Sequence, residues 1–226
     1  MFDRDEFDDF LLKNNCVGFF EKPVILSSGR KCHYYINIRN VLKTVGLKRD
    51  TAKFVFQFAR DLGLKPDVFI GIPDGATPLG EVVTELIDYK DPYETPAIIL
   101  RSQPKLHGEP KDKYSVGDIK PGYHVVLIED ITTTGESVRS HIPDVKETGA
   151  IIDETIACAN RLELRDDKRT VEQSLREDFN VGYASMTDSG RLVPKAYELL
   201  HPSREIAKAV EEYFRNYGTI EISLIK

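Results

Sequence analysis

Residues 125–128, VVLI, run straight into two carboxylates, Glu129 and Asp130, and then into ITTTGES (131–137). An unbroken apolar run of this length, bounded by polar residues, fits a strand buried on both faces, and such strands belong to parallel sheets covered by helices. The neighbouring sequence agrees. DVFIGI (67–72), PAIILR (96–101), YHVVLIED (123–130), IIDETIACAN (151–160) and VGYASM (181–186) read as strands. Helical patterns alternate with them at 50–62, 77–89, 136–148 and 169–179; in the first, Val55, Phe58, Ala59 and Leu62 share one face. This alternation predicts an α/β fold, a mostly parallel sheet flanked by helices. Asp50 is the expected N-cap and Gly63 the stop of the first helix. Thr77 is expected to cap the second, with Pro78 at its first position. Pro143 is expected to shorten or bend the third.

Two segments fall outside that alternation. PVILSSGRKCHYYINI (23–38) reads as two strands around a Ser-Ser-Gly-Arg-Lys turn, a small subdomain preceding the α/β core. Residues 102–122 have almost no apolar residues, and such a stretch inside a compact domain marks a functional or disordered loop. Its Lys, Asp, Glu, Gly and Pro content predicts mobility without ligand and closure over a site. At 226 residues the chain suits one domain and can bury a core without disulfides. Cys16, Cys32 and Cys158 form no CxxC pair, which points to a reducing, cytoplasmic setting and to packing roles. The acidic, amphipathic N-terminus is not a signal peptide. No apolar run reaches the length that spans a membrane. A net charge of −6 without a basic tail argues against nucleic acid as a partner.

The chemistry is concentrated where the buried strand ends. Ligands of open parallel sheets bind beyond the carboxyl ends of the strands. Backbone N–H groups of 131–137, with the positive end of the following helix, make an anion site. Thr132, Thr133, Thr134 and Ser137 add hydroxyl donors, and Gly135 lets the backbone come close. Carboxylates repel phosphate but suit sugar hydroxyls or a metal. A phosphate cradle beside an acid pair therefore suggests a ribose 5-phosphate held at both ends. A simple helix cap and a polar loop would explain either half alone; the combined string is more specific. It is not a Walker A loop, because no GxxxxGK[ST] occurs.

The string VVLIEDITTTGES resembles the 5-phosphoribosyl 1-pyrophosphate (PRPP) signature of type I phosphoribosyltransferases. SGRKCHYYIN (28–37) is similar to the SGRKSPYFFN-type hairpin of orotate phosphoribosyltransferases. RSQPKLHG (101–108) resembles their RKExKxHG loop, and NRLE (160–163) their DRQE segment, keeping Arg161 and Glu163. The order and spacing fit from about residue 5 to 215. The resemblance implies the type I phosphoribosyltransferase fold with a small N-terminal hood. One domain then comprises an N-terminal helix and hood hairpin (about 1–45) and an α/β core (about 46–217), and the C-terminal residues 218–226 read as an extra strand that the family core does not need.

The same resemblance implies roles. Glu129 and Asp130 would hold the ribose hydroxyls, and Ile131, Thr132, Thr133, Thr134, Gly135, Glu136 and Ser137 would cradle the 5-phosphate. Tyr35 and Ile36 would lie beside the pyrimidine, Thr133 would also touch it, and Arg161 would pair with its carboxylate, which suits a bidentate guanidinium. Ser27 and Lys31 beside the hairpin turn, and Asp74 and Gly75 in the pyrophosphate loop GIPDGATP (71–78), fall at substrate-binding positions. That loop commonly holds a cis peptide, here Pro73–Asp74. Arg101, Ser102, Lys105 and His107 would face pyrophosphate, from the neighbouring subunit of a homodimer. Lys105, His107 and Asp130 are the implied catalytic residues and Mg²⁺ the implied cofactor. The implied reaction moves the phosphoribosyl group from PRPP to orotate, giving orotidine 5'-phosphate and pyrophosphate in pyrimidine nucleotide biosynthesis. Lysines common in the family are replaced by Ser27, Gly75 and Ser102, Ile36 replaces an aromatic residue, and Asn160 replaces an aspartate. A transferase for another base, and a protein that senses PRPP without turning it over, are the alternatives.

Overall fold

A computed structural model describes residues 1–225 apart from 27, 88–92, 94, 106, 108 and 110–112. Its centre is a parallel sheet of β3 (Val68–Gly71), β6 (His124–Thr132), β7 (Ile151–Asn160) and β8 (Gly182–Asp188), in that order. The buried run of β6 explains the two-layered core around it. Val126 and Ile128 pack to one side with Phe69, Val55 and Leu192. Val125 and Leu127 pack to the other with Val68, Ile70, Val138 and Leu175. Successive strand residues face opposite ways, so a strand with helices on both faces is apolar at every position.

The helices are α2 (Val45–Asp61), α3 (Thr77–Thr84), α4 (Glu136–Glu147), α5 (Val171–Phe179), α6 (Ser189–Leu200) and α7 (Arg204–Tyr217), preceded by α1 (Arg4–Lys13). Several start points differ from expectation. α2 begins five residues before Asp50, because Thr44 accepts a hydrogen bond from the Leu47 N–H and caps it; Asp50 instead pairs with Lys53. Gly63 follows the end of α2 at φ +76°, as expected of a stop. Thr77 is the first residue of α3 rather than its cap, which is Ala76, and the helix ends at Thr84; residues 88–89 lie outside the described residues. α4 runs through Pro143 to Glu147 without shortening.

The N-terminal hairpin pairs β1 (Val17–Ile25) antiparallel with β2 (Lys31–Ile36) and packs on α7, where Tyr34 stacks on Phe214 with ring centroids 5.6 Å apart. A 3₁₀ turn, Ile38–Leu42, leads out of it. PAIILR does not join the parallel sheet. Only Ile99–Leu100 (β4) is extended, and it pairs antiparallel with Ser115–Val116 (β5). The ladder continues through Arg101 N–H to the Tyr114 carbonyl and Lys105 N–H to the Lys113 carbonyl, so the described flanks of the 102–122 segment form a two-stranded arm. Residues 106, 108 and 110–112 of that segment lie outside the described residues. The C-terminal segment is not a strand. Beyond a single bridge between Gly218 and Glu163, its Leu224 and Ile225 N–H groups donate to the Glu211 carboxylate on α7 instead of to a neighbouring strand. Its alternating apolar residues, Ile222 and Leu224, pack against the core.

Candidate active site

The carboxyl end of β6 opens into a cavity of about 270 Å³. Tyr35, Ile36, Asp74, Gly75, Glu129, Asp130, Ile131, Thr133, Ser137 and Arg161 all line it, so residues spread over 127 positions of sequence converge there. Asn37 and Arg39 line it as well. The sequence analysis missed both. An arginine one turn past a strand carries no signal that separates it from ordinary solvated surface.

The acid pair forms one unit. Asp130 is 8% exposed and Glu129 3%. The Asp130 N–H donates to Glu129 Oε1 at 3.1 Å, and the Ile131 N–H donates to Asp130 Oδ1 at 2.9 Å. Burial, reinforced by hydrogen bonding to and the charge of Asp130, holds the Glu129 carboxyl well above the usual carboxylate range. Gly75 presses against this unit. A Cβ built there would stand 2.2 Å from Asp130 Oδ2, so no larger residue fits while that carboxylate stays in place. The adjoining Pro73–Asp74 peptide is cis, as the family resemblance implied.

The threonine loop divides its side chains. Thr133 and Ser137 face the cavity, while Thr134, Glu136 and Ser137 line a second recess of about 630 Å³ with Arg165 and Arg30. Gly135 has φ +73° and precedes α4, so its backbone turns the chain into the helix N-terminus. Arg165 Nη1 donates to the Thr134 carbonyl at 2.6 Å and steadies the loop from outside. Thr132 departs from the expected cradle: it is still in the strand, buried, and its hydroxyl bonds the Tyr183 hydroxyl.

Opposite the loop stands Arg161, 2% exposed. Its Nε donates to Glu163 Oε1 at 2.7 Å, its Nη2 approaches Cys32 Sγ at 3.4 Å, and its guanidinium lies 4.2 Å above the Tyr34 ring. Nη1 is buried without a hydrogen-bond partner. Burial opposes the charge, but Tyr34, Glu163 and Cys32 outweigh it and keep the guanidinium charged. Glu163 also accepts from Arg30 Nη1 at 2.9 Å, so one buried carboxylate joins the hairpin turn to Arg161. An orphaned donor on a buried cation at a cavity wall suits an anionic group entering the cavity. Tyr34 is wholly buried and Tyr35 exposed toward the cavity, the division expected of adjacent strand residues.

Arg101, Ser102 and Lys105 line a third recess, about 510 Å³, which meets the main cavity at Asp74. Lys31 and His107 are exposed and line neither. Ser27 and Gly108 lie outside the described residues. All three cysteines are free and buried; burial raises their thiols, Cys16 to about 12, in keeping with packing roles.

Comparison with known proteins places this arrangement. The phosphoribosyl transferase domain family matches residues 37–187. An orotate phosphoribosyltransferase of Methanocaldococcus jannaschii is 32% identical over 154 residues, covering 68% of this chain and 80% of the relative. One of Agathobacter rectalis is 26% identical over 224 residues, covering 95% and 97%. The crystal structure of orotate phosphoribosyltransferase from Francisella tularensis superposes with a TM-score of 0.69 at 21% identity, over 95% of this chain and 100% of that one.

Proposed function

Because the chain belongs to the phosphoribosyltransferase family and has the type I fold of that family, we propose that it transfers the phosphoribosyl group of PRPP to orotate. The observation that carries the choice of base is Arg161, a buried guanidinium whose Nη1 has no partner and which lines the same cavity as Tyr35 and the acid pair. Orotate differs from uracil by a carboxylate, the group a guanidinium fork binds best. The curated relatives carry the same activity in their names.

In this reading the N–H groups at the start of α4, with Thr133 and Ser137, hold the 5-phosphate. Asp130 accepts from the ribose hydroxyls, and burial raises the Glu129 carboxyl beside it. Tyr35 and Ile36 cover the pyrimidine while Arg161 fixes its carboxylate. The bond from C1 of ribose to pyrophosphate breaks as the ring nitrogen of orotate bonds to C1, and the N–H proton passes to the departing pyrophosphate or to solvent. Negative charge grows on the leaving group, where Arg101 and Lys105 stabilise it. His107, exposed in its own chain, would face the pyrophosphate of the neighbouring subunit's site.

Among the described residues no three His, Cys, Asp or Glu side chains cluster as a metal cage. Mg²⁺ is commonly held by substrate phosphates and one or two carboxylates. Asp130 and Asp74 are the carboxylates that would serve. Bound Mg²⁺ would neutralise charge on the departing pyrophosphate. Among the described residues, the recess lined by Lys105 shares Asp74 with the cavity, and in this reading the arms of a homodimer complete each other's sites.

The test is direct. Purified protein with PRPP and Mg²⁺ should consume orotate, followed by its absorbance, and leave uracil, hypoxanthine and adenine unchanged. Turnover of another base instead would move the assignment within the family. Binding of PRPP without any turnover would make the protein a sensor.

A further inference from the structure

Arg39 has no assigned role, yet it stands at the mouth of the cavity. The 3₁₀ turn that carries it is anchored on either side by Ile38 and Val41, both buried. The Arg39 side chain itself is 67% exposed. Its Nε lies 3.7 Å from Asp130 Oδ2, an ion-pair distance too long for a hydrogen bond. The turn is therefore fixed while the guanidinium is held only loosely.

The charges around it indicate what the guanidinium is for. Asp74, Glu129 and Asp130 line the cavity, and a polyanionic substrate must enter past them. Among the described residues lining it, the cations are Arg161 and Arg39. Arg161 is engaged by Glu163 and buried against Tyr34. Asp130 Oδ2 lies against Gly75 on one side and Arg39 on the other, so Arg39 borders the 73–75 loop across that carboxylate. The crowding at Gly75 leaves no room for a side chain at that position of the loop.

We propose that Arg39 is a substrate-binding residue that takes the pyrophosphate group of PRPP. The inference rests on the PRPP reading of the site. In the free enzyme Arg39 screens Asp130. When ribose hydroxyls take over Asp130, the guanidinium passes to the pyrophosphate oxygens beside the 73–75 loop. A planar fork suits two such oxygens at once, which a lysine cannot match.

Calorimetry with two separate probes, Mg²⁺-pyrophosphate and ribose 5-phosphate, tests this. Arg39→Gln should weaken pyrophosphate binding about tenfold, the scale of a lost charge-assisted hydrogen bond, and leave ribose 5-phosphate affinity unchanged. Arg39→Lys should fall between the two and serves as the informative variant if Arg39→Gln does not fold. Arg49→Gln, an exposed change on α2, controls for general charge. Unchanged pyrophosphate affinity in both Arg39 variants would overturn the proposal. So would weakening confined to ribose 5-phosphate, which would make Arg39 a support for Asp130. Wild-type protein that binds neither probe would overturn the PRPP reading and this proposal together.

Discussion

In the proposed reading, the two ends of the cavity are built on opposite principles. At the base end, Arg161 is 2% exposed and immobilised by Glu163, Cys32 and Tyr34. At the leaving-group end, Arg39 is loosely paired and Lys105 sits on an arm in an adjoining recess. A buried charge is costly unless its partners are fixed, so the base end must be assembled during folding. That rigidity favours discrimination, because a base without a carboxylate leaves a desolvated donor unmet. The leaving-group end has a different task. It must meet charge that grows during reaction and then release a polyanion, which calls for exposed cations that can exchange partners.

Arg161→Lys should separate the two ends most sharply. It retains the charge and removes the fork, so kcat/KM for orotate should fall about 1,000-fold. PRPP affinity, read by calorimetry, should stay at the wild-type value. Equal losses in both would mean that Arg161 supports the whole cavity and does not select the base.

Lys105→Ala probes the other end and should lower kcat about 100-fold, well beyond its effect on the Kd for PRPP. Single-turnover and binding measurements on the same preparation give the two numbers. Mixing Lys105→Ala with Asp130→Asn subunits should restore activity if arms serve the neighbouring site. Mixed dimers of verified composition that remain as inactive as their parents would confine the arm to its own chain. Asp130→Asn alone should weaken PRPP binding about tenfold with little change in melting temperature, since it lies at a strand end.

The base end was the more legible of the two in sequence. Arg161 and Glu163 stand two residues apart at the end of a recognisable strand, and the adjacent tyrosines divide between core and cavity as strand geometry requires. The role of Cys32 was hidden because a thiol paired with a distant arginine has no local signature. Arg39 was hidden for a similar reason: its meaning comes from Asp130 and Gly75, brought to it by the turn that follows the hairpin. The threonines look equivalent in the string, but the last strand position, Thr132, turns to Tyr183, Thr133 lines the cavity, and Thr134 lines the outer recess. PAIILR misleads because a short apolar run does not say which partner will take its N–H groups. The C-terminal alternation misleads similarly, since a carboxylate on α7 satisfies backbone donors that a strand would have paired. Helices α6 and α7 were open to reading: Val210, Tyr213 and Phe214 hold helical spacing and are buried, though the sequence analysis did not draw them out.

Glu129→Gln should give the smallest effect, and it tests whether the floor between the two ends is neutral or charged. Burial and Asp130 raise the Glu129 carboxyl in the folded protein above its unfolded value. Protonation therefore favours the folded state. The stability contributed this way is complete below the unfolded carboxyl value and is lost as pH rises through the folded one. Glutamine has the shape of the protonated acid and cannot ionise. The variant should thus match wild type in acid and exceed it in melting temperature above the folded pKa, by about 2–4 °C per kcal/mol recovered for a chain of this size. Its PRPP affinity should change less than that of Asp130→Asn, because a neutral side chain already occupies the position wherever Glu129 holds its proton. Thermal melts across a pH series measure the difference. A variant less stable than wild type at alkaline pH would show that ionised Glu129 has a stabilising partner in the folded site, and the acid pair would then be two charges held apart, not one charge beside a proton.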